Sequence, residues 1–215
     1  MLLERIKTAL VLLAAFILIS TKSSVLVFSI VISGFMGFVA WEWAGLAGIT
    51  KKSSKLTYAI CFFCIASFLY RGLGFGNNQE HFDKEMSLIF LCIGLLFWIS
   101  SVFFLYHYPR YFEFWNKKYK LTVMGLLVII PAWNGMIVLK FLNPEGYLLL
   151  LIVILVAATD IGAYFIGRNF GRIKLAVKLS PNKTWEGVLG GGAVCVLTMI
   201  LMTGIADLIF PVFFQ

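Results

Sequence analysis

Seven apolar stretches divide this chain, at about residues 8–20, 25–49, 56–70, 86–106, 121–142, 147–167 and 188–210. Short polar segments separate them. A lipid interior offers no water to backbone N–H and C=O groups, and a helix satisfies them within one segment. A run of about 20 apolar residues is long enough to cross the hydrocarbon core. Composition agrees with repeated crossing. Of 215 residues, 61% are apolar and 13% charged, and the mean hydropathy is +0.95. A soluble domain is about 45–50% apolar and roughly 25% charged. This excludes a water-soluble globule, a disordered tail and a fibrous repeat. The fold class is therefore all-α, a polytopic transmembrane helical bundle of about seven spans. No linker, internal repeat or low-complexity segment breaks it, so residues 1–215 read as a single integral-membrane domain.

Two of the stretches are short. The first follows the basic start MLLERIK, as in a signal peptide. No small-x-small cleavage pattern follows Ser20, so it reads as a retained segment. The third is LTYAICFFCIASFLY between Lys55 and Arg71, whose charged heads can snorkel to the interface.

The basic residues test this layout. The net charge is +8, from 18 Lys and Arg against 10 Asp and Glu. In a soluble chain that balance would point to nucleic acid; here it reads as a topology signal and an attraction to anionic membrane lipid, with no nucleic-acid partner. With seven crossings, one face carries Arg5, Lys7, Lys51, Lys52, Lys55, Arg110, Lys117, Lys118, Lys120, Arg168, Arg172, Lys174, Lys178 and Lys183. The other carries Lys22, Arg71, Lys84 and Lys140. If the first stretch does not cross, only Arg5 and Lys7 change sides. Either way the 168–187 loop falls on the cytoplasmic side. The expected location is a multi-pass position in a bacterial inner membrane.

Several features have structural readings. Cys61, Cys64, Cys92 and Cys195 all lie in apolar runs, and Cys61-x-x-Cys64 has no second pair or nearby His. Buried, inert thiols are expected. Pro131 interrupts the fifth stretch, with Asn134 placed to satisfy a freed backbone group. Gly187 and Gly191, and the stripe Ala40, Ala44 and Gly48, suit close helix packing. Trp98, Tyr106, Tyr108, Tyr111 and Trp115 form a candidate interfacial belt. His81 and His107 read as surface or interfacial residues, and Glu80, Asp83 and Glu85 as solvated. Asp207 reads as reaching the interface at the outer end of the last stretch. Glu42 lies inside an apolar stretch and is a candidate cavity residue.

Chemistry concentrates in residues 157–192, AATDIGAYFIGRNFGRIKLAVKLSPNKTWEGVLGGG. Asp160 sits about two helical turns inside the sixth stretch. A carboxylate at that depth faces a bundle interior or a wet cavity. It reads either as a metal ligand or charge partner, or as half of a structural ion pair. Tyr164 and Gly167 share its helix face. Five basic residues follow between Arg168 and Gly187, with Glu186 as the sole acid. Ser180-Pro181 resembles a helix start, with Ser as cap and Pro in the first turn. Lys183 would then sit at the positive end of a helix dipole, which is reasonable if an anion binds there. On this reading Ser180, Pro181, Asn182, Lys183 and Thr184 form a phosphate cradle, and Arg168 and Arg172 add bidentate contacts. A carboxylate beside basic phosphate clamps is equipment for phosphoryl or nucleotidyl transfer.

At these residues the sequence resembles the phosphatidate cytidylyltransferase, or CDP-diacylglycerol synthase, family. The family's run is similar to DIGAYFIGRNFGRIKLAVKLSPNKTWEG, residues 160–187. The pair Trp41-Glu42 is similar to a second, earlier family pattern. The resemblance implies that CTP and phosphatidate give CDP-diacylglycerol and pyrophosphate with Mg²⁺. It implies Asp160 and Lys183 as catalytic residues, with Asp160 also at the metal. It implies Arg168, Arg172, Lys174, Ser180, Asn182, Thr184 and Glu186 as substrate-binding residues, and a homodimer. Asn182 stands where Gly is common in the family, a mild change because Asn tolerates left-handed backbone. The family's C-terminal signature, which supplies further metal carboxylates, is not found before Gln215, and one more span would be needed to return to the cytoplasmic side. The expectation is an incomplete chain of this enzyme. A non-catalytic relative that binds lipid phosphate or partner proteins is the alternative. A small ion transporter using Asp160 is a third reading, and the lack of an inverted repeat counts against it.

Overall fold

The computed structural model describes residues 2–75 and 82–209. The elements are α1 (Leu2–Lys22), α2 (Val25–Leu46), α3 (Lys52–Gly72), α4 (Lys84–Tyr106), α5 (Phe112–Trp115), α6 (Lys118–Leu142), α7 (Tyr147–Phe170), β1 (Lys174–Ala176), β2 (Ser180–Thr184) and α8 (Trp185–Ile209). Each of the seven apolar stretches has become one long helix. Six of them, α2, α3, α4, α6, α7 and α8, are long and apolar enough to cross a membrane. The chain is a multi-pass helical membrane protein. Contacts gather into two compact units, Met1–Tyr147 and Leu148–Gln215. His81, Glu80 and the side chain of Asp207 lie outside the described residues.

In the first unit α6 is the central helix, flanked by α2 and α4, with α3 against α2. Small residues set these approaches. A Cβ on Gly125 of α6 would fall 2.3 Å from the Trp43 ring and 2.5 Å from the Tyr58 hydroxyl oxygen. The space a side chain would take is thus filled by two aromatic rings. Trp43 Nε1 donates to the Leu121 carbonyl and the Tyr58 hydroxyl to the Thr122 carbonyl, each at 2.8 Å. Gly94 of α4 plays the same part against Pro131, whose Cβ would lie 2.7 Å from an added methyl group. Ala40 and Ala44 are fully buried, which is the packing role their spacing predicts.

Polar side chains tie the helices across apolar surroundings. The Ser87 hydroxyl donates to Asn134 Oδ1 at 3.0 Å, and Asn134 Nδ2 donates to the Ser87 carbonyl at 3.1 Å. Asn134 therefore links α6 to α4, and does not satisfy its own proline-freed backbone as the sequence reading proposed. A side-chain amide has both a donor and an acceptor, and Ser87 meets both at once. Trp133 Nε1 donates to Ser33 Oγ at 2.8 Å and ties α6 to α2.

Two helices stop on glycine. Gly48 and Gly74 have φ of 82° and 79°. The Ile49 N–H returns to Ala44 O and the Phe75 N–H to Tyr70 O. This closes the last turns of α2 and α3 in the left-handed conformation that glycine adopts without a Cβ clash. The cysteines differ from expectation. Cys61, Cys64 and Cys92 are exposed on the outer helix surfaces, and Cys195 is half-buried. An apolar run that crosses lipid has two apolar faces, so apolar context does not distinguish core from lipid contact.

Lys140 is fully buried. Its ammonium donates to the Ser20 carbonyl at 2.5 Å and also to the Pro144 carbonyl. It thereby closes the C-terminal turn of α1, where the dipole is negative. Gly146 makes this approach possible, since a Cβ there would overlap the Ser20 backbone. By sequence alone Lys140 reads as a loop charge. Lys140→Ala leaves buried carbonyls without a donor and should lower stability by about 1–3 kcal/mol. Thermal unfolding in detergent measures it, and Lys22→Ala, at an exposed position, should leave the transition unchanged.

Candidate functional site

The second unit consists of α7, the β1–β2 hairpin and α8. Glycines bring its two helices together. A Cβ on Gly187 would lie 2.9 Å from Ala163 O, and one on Gly191 would lie 2.8 Å from Thr159 O. A Cβ on Gly162 would lie 2.8 Å from Val194. The Gly187 and Gly191 pair predicted for helix packing does pack, against the carbonyls of α7. This close crossing positions the loop that joins the two helices.

That loop is a hairpin, not the helix start that Ser180-Pro181 suggested. β1 and β2 pair antiparallel, with Lys174 opposite Thr184 and Ala176 opposite Ser180. Two residue steps on one strand match four on the other, so the register shifts between these pairs. Pro181, Asn182 and Lys183 occupy the longer side. Proline cannot donate to a ladder and is tolerated at such an irregularity. Val177, Lys178 and Leu179 make the turn.

The helix start moves four residues on. The Thr184 hydroxyl accepts the Gly187 N–H at 3.2 Å, so Thr184 is the capping residue of α8. The Trp185 N–H donates to Ile173 O at 2.9 Å. The Ile173 N–H in turn donates to the Glu186 carboxylate, at 3.1 and 3.2 Å to its two oxygens. Ile173 is thus clamped through both backbone groups by the first turn of α8. Gly171 lets the chain turn beneath Thr184, since a Cβ there would lie 2.1 Å from Gly167 O and 2.7 Å from Thr184. At the observed helix start, the Trp185 and Gly187 N–H groups are taken by the protein itself. The cradle at a free helix terminus is therefore corrected.

The sequence-predicted residues fall into three sets. Asp160, Tyr164 and Arg168 lie four residues apart on one face of α7 and are exposed. Arg168 Nη1 donates to the Tyr164 hydroxyl at 2.9 Å, and the guanidinium carbon lies 6.0 Å from the ring centroid. Within this unit Asp160 makes no hydrogen bond or ion pair among the described residues. Arg172, Lys174, Asn182 and Lys183 are exposed on the hairpin and its approach, and Ser180 is partly exposed. Thr184 is buried and Glu186 half-buried, both engaged in holding the hairpin. Lys178, which the motif reading does not assign to the site, is exposed at the turn beside these basic residues. Its signal was the same basic run.

Among the described residues, no three of His, Cys, Asp and Glu gather to hold a metal ion. Asp160 is a lone carboxylate, and that of Glu186 is engaged by Ile173. One carboxylate does suit a hard divalent cation whose remaining ligands are phosphate oxygens and water. Asp160 fits that partial role and no more. Of the other carboxylates, Glu42 is exposed on α2. Asp83 is not merely solvated, because it caps α4 by accepting the Met86 N–H at 2.9 Å. His107 contacts Phe103 and its carbonyl at the end of α4.

Glu186→Ala should release Ile173 and loosen the hairpin. Amide exchange at residues 172–184 and tryptic cleavage after Lys178 should both accelerate. Glu186→Gln, which keeps an acceptor, should lie between the two.

Known proteins bear on this site. The profile of the cytidylyltransferase family matches residues 3–215. A phosphatidate cytidylyltransferase of Pseudomonas aeruginosa is 34% identical over 195 residues, covering 89% of this chain and 66% of the relative. One from Haemophilus influenzae is 30% identical over 201 residues, covering 89% of this chain and 69% of the relative. One from Aquifex aeolicus is 31% identical over 145 residues, covering 66% and 54%. The chain thus spans between about half and about two thirds of these relatives. No solved structure matches it significantly. A match from the third residue to the last places the hairpin and every helix inside one family pattern, and the chain belongs to the cytidylyltransferase family.

Proposed function

We propose that this protein transfers a cytidylyl group from CTP to phosphatidate, giving CDP-diacylglycerol and pyrophosphate for phospholipid synthesis. The observation that carries the reading is the exposed basic hairpin, joined to the helix that holds the unpaired carboxylate Asp160. The names of the bacterial relatives supply the substrates.

In this reaction a phosphate oxygen of phosphatidate attacks the α-phosphorus of CTP. A new P–O–P bridge forms, the α–β bridge breaks, and its electron pair leaves with pyrophosphate. Little covalent chemistry is asked of the protein, so placement and charge neutralisation dominate. Lys183, Lys174 and Arg172 meet the triphosphate, with Lys178 at the rim. Ser180 and Asn182 add neutral hydrogen bonds. Thr184 and Glu186 hold the hairpin in position. Arg168, turned back on Tyr164, lines the approach from the helix face. Mg²⁺ would supply further charge neutralisation at the phosphates, with Asp160 as its protein carboxylate.

The basic-residue asymmetry supports placing the hairpin on the cytoplasmic side, where CTP is available. The bacterial relatives support an inner membrane location. The family resemblance supports a homodimer.

The test is CTP-dependent formation of labelled CDP-diacylglycerol in membranes containing the full-length protein. Asp160→Asn and Lys183→Gln should each lower the rate by roughly 100-fold or more, with protein levels unchanged. Rates equal to wild type in both variants contradict the site. Nucleotide binding with no pyrophosphate release, from the full-length protein, contradicts the reaction.

A further inference from the structure

A second basic surface lies in the first unit, on elements that carry none of the residues assigned to the reaction. The C-terminal end of α2, the start of α3 and the start of α6 converge there. Two aromatic hydrogen bonds fix the convergence, from Trp43 of α2 to Leu121 O and from Tyr58 of α3 to Thr122 O. Two lysine side chains lie along the end of α2. The Lys55 ammonium would be 2.6 Å from a Cβ on Gly45, and the Lys118 stem 3.4 Å from one on Gly48. Lys51, Lys52 and Lys117 are exposed beside them. Five lysines from two chain segments, 51–55 and 117–118, therefore gather at one end of this unit.

Their charge is not balanced within the described residues. The one ion pair found there joins Lys7 to Glu4. Glu42 and Glu113, the nearest acids in sequence, are exposed and pair with none of these lysines. The negative end of the α2 dipole accounts for part of the attraction, roughly half an elementary charge. Most of the positive charge has no ion-pair partner among the described residues of this unit.

Apolar side chains begin directly below the lysines. Leu46 is 79% exposed, Leu56 53% and Val123 54%. They lie at the last residue of α2 and within about one turn of the starts of α3 and α6. The surface thus passes from ammonium groups to hydrocarbon within about one helical turn, near 5 Å. A free anion would use the upper half alone. A lipid with a charged headgroup matches both halves.

We propose that this surface is a binding station for the phosphate headgroup of an anionic lipid, with the acyl chains against Leu46, Leu56 and Val123. It rests on the membrane-spanning fold and is independent of the transfer reaction. Clustered lysines at a membrane surface each contribute about 1 kcal/mol to such attraction.

The experiment uses the intact protein in nanodiscs of phosphatidylcholine containing phosphatidylglycerol. Native mass spectrometry after release counts the lipids retained. Wild type should keep phosphatidylglycerol in preference to phosphatidylcholine. The variant combining Lys51→Gln, Lys52→Gln, Lys117→Gln and Lys118→Gln should lose at least about tenfold of that preference, while Lys22→Gln with Lys84→Gln keeps it. Equal preference in the fourfold variant and wild type overturns the proposal. So does displacement of the lipid by excess inorganic phosphate, because a free anion would then suffice. Should the fourfold variant not fold, wild type itself decides. Retention of phosphatidylglycerol should fall steeply as salt is raised, and retention indifferent to salt overturns the proposal.

Discussion

Backbone hydrogen bonding without water shapes this molecule more than any single contact. A chain crossing lipid has to pair every N–H and C=O within itself. Seven helices do this along their length, and their ends then become the vulnerable places. Several ends are closed by specific devices. Left-handed glycines close α2 and α3, the buried Lys140 ammonium closes α1, and Asp83 and Thr184 cap α4 and α8. The same requirement explains the hairpin. Where the chain leaves helical geometry between α7 and α8, a short ladder and the clamp on Ile173 take over the pairing. The exposed lysines of that segment can stand out from the protein because its backbone has been satisfied by other groups.

The helices were legible in the sequence for the reason just given. Apolar length is the strongest signal a membrane chain carries, and the boundaries followed from it to within a few residues at most ends. Close packing was legible too, where small residues recur at helical spacing, as at Gly187 and Gly191. Partner identity was not. Asn134 and Lys140 looked like a local cap and a loop charge, and both proved to be cross-helix donors. Spacing along one helix does not reveal which neighbour supplies the acceptor. The cysteines failed for a related reason, since lipid and protein core are equally apolar.

The motif region was legible in the family it marks and misread in its local structure. Ser180-Pro181 carries a genuine helix-start signal, yet strand pairing with Lys174–Ala176 prevails and the cap falls on Thr184. Tertiary pairing outweighed a local preference worth about 1 kcal/mol. This changes what the residues do. Thr184 and Glu186 hold the hairpin, and on the proposed reading its exposed charged residues, with Asn182, meet the ligand. The residues of the motif divide into those engaged in hydrogen bonds that hold the hairpin and those exposed on it, a division the motif alone could not make.

The central claim is that the α7–α8 hairpin receives the phosphates of a nucleotide. The most direct measurement is photolabelling with a CTP analogue carrying an arylazide on its γ-phosphate, followed by peptide mapping of the full-length protein. The account predicts label within residues 168–184, displaced by unmodified CTP. Label confined to other segments, or label in the hairpin that CTP does not displace, would contradict it.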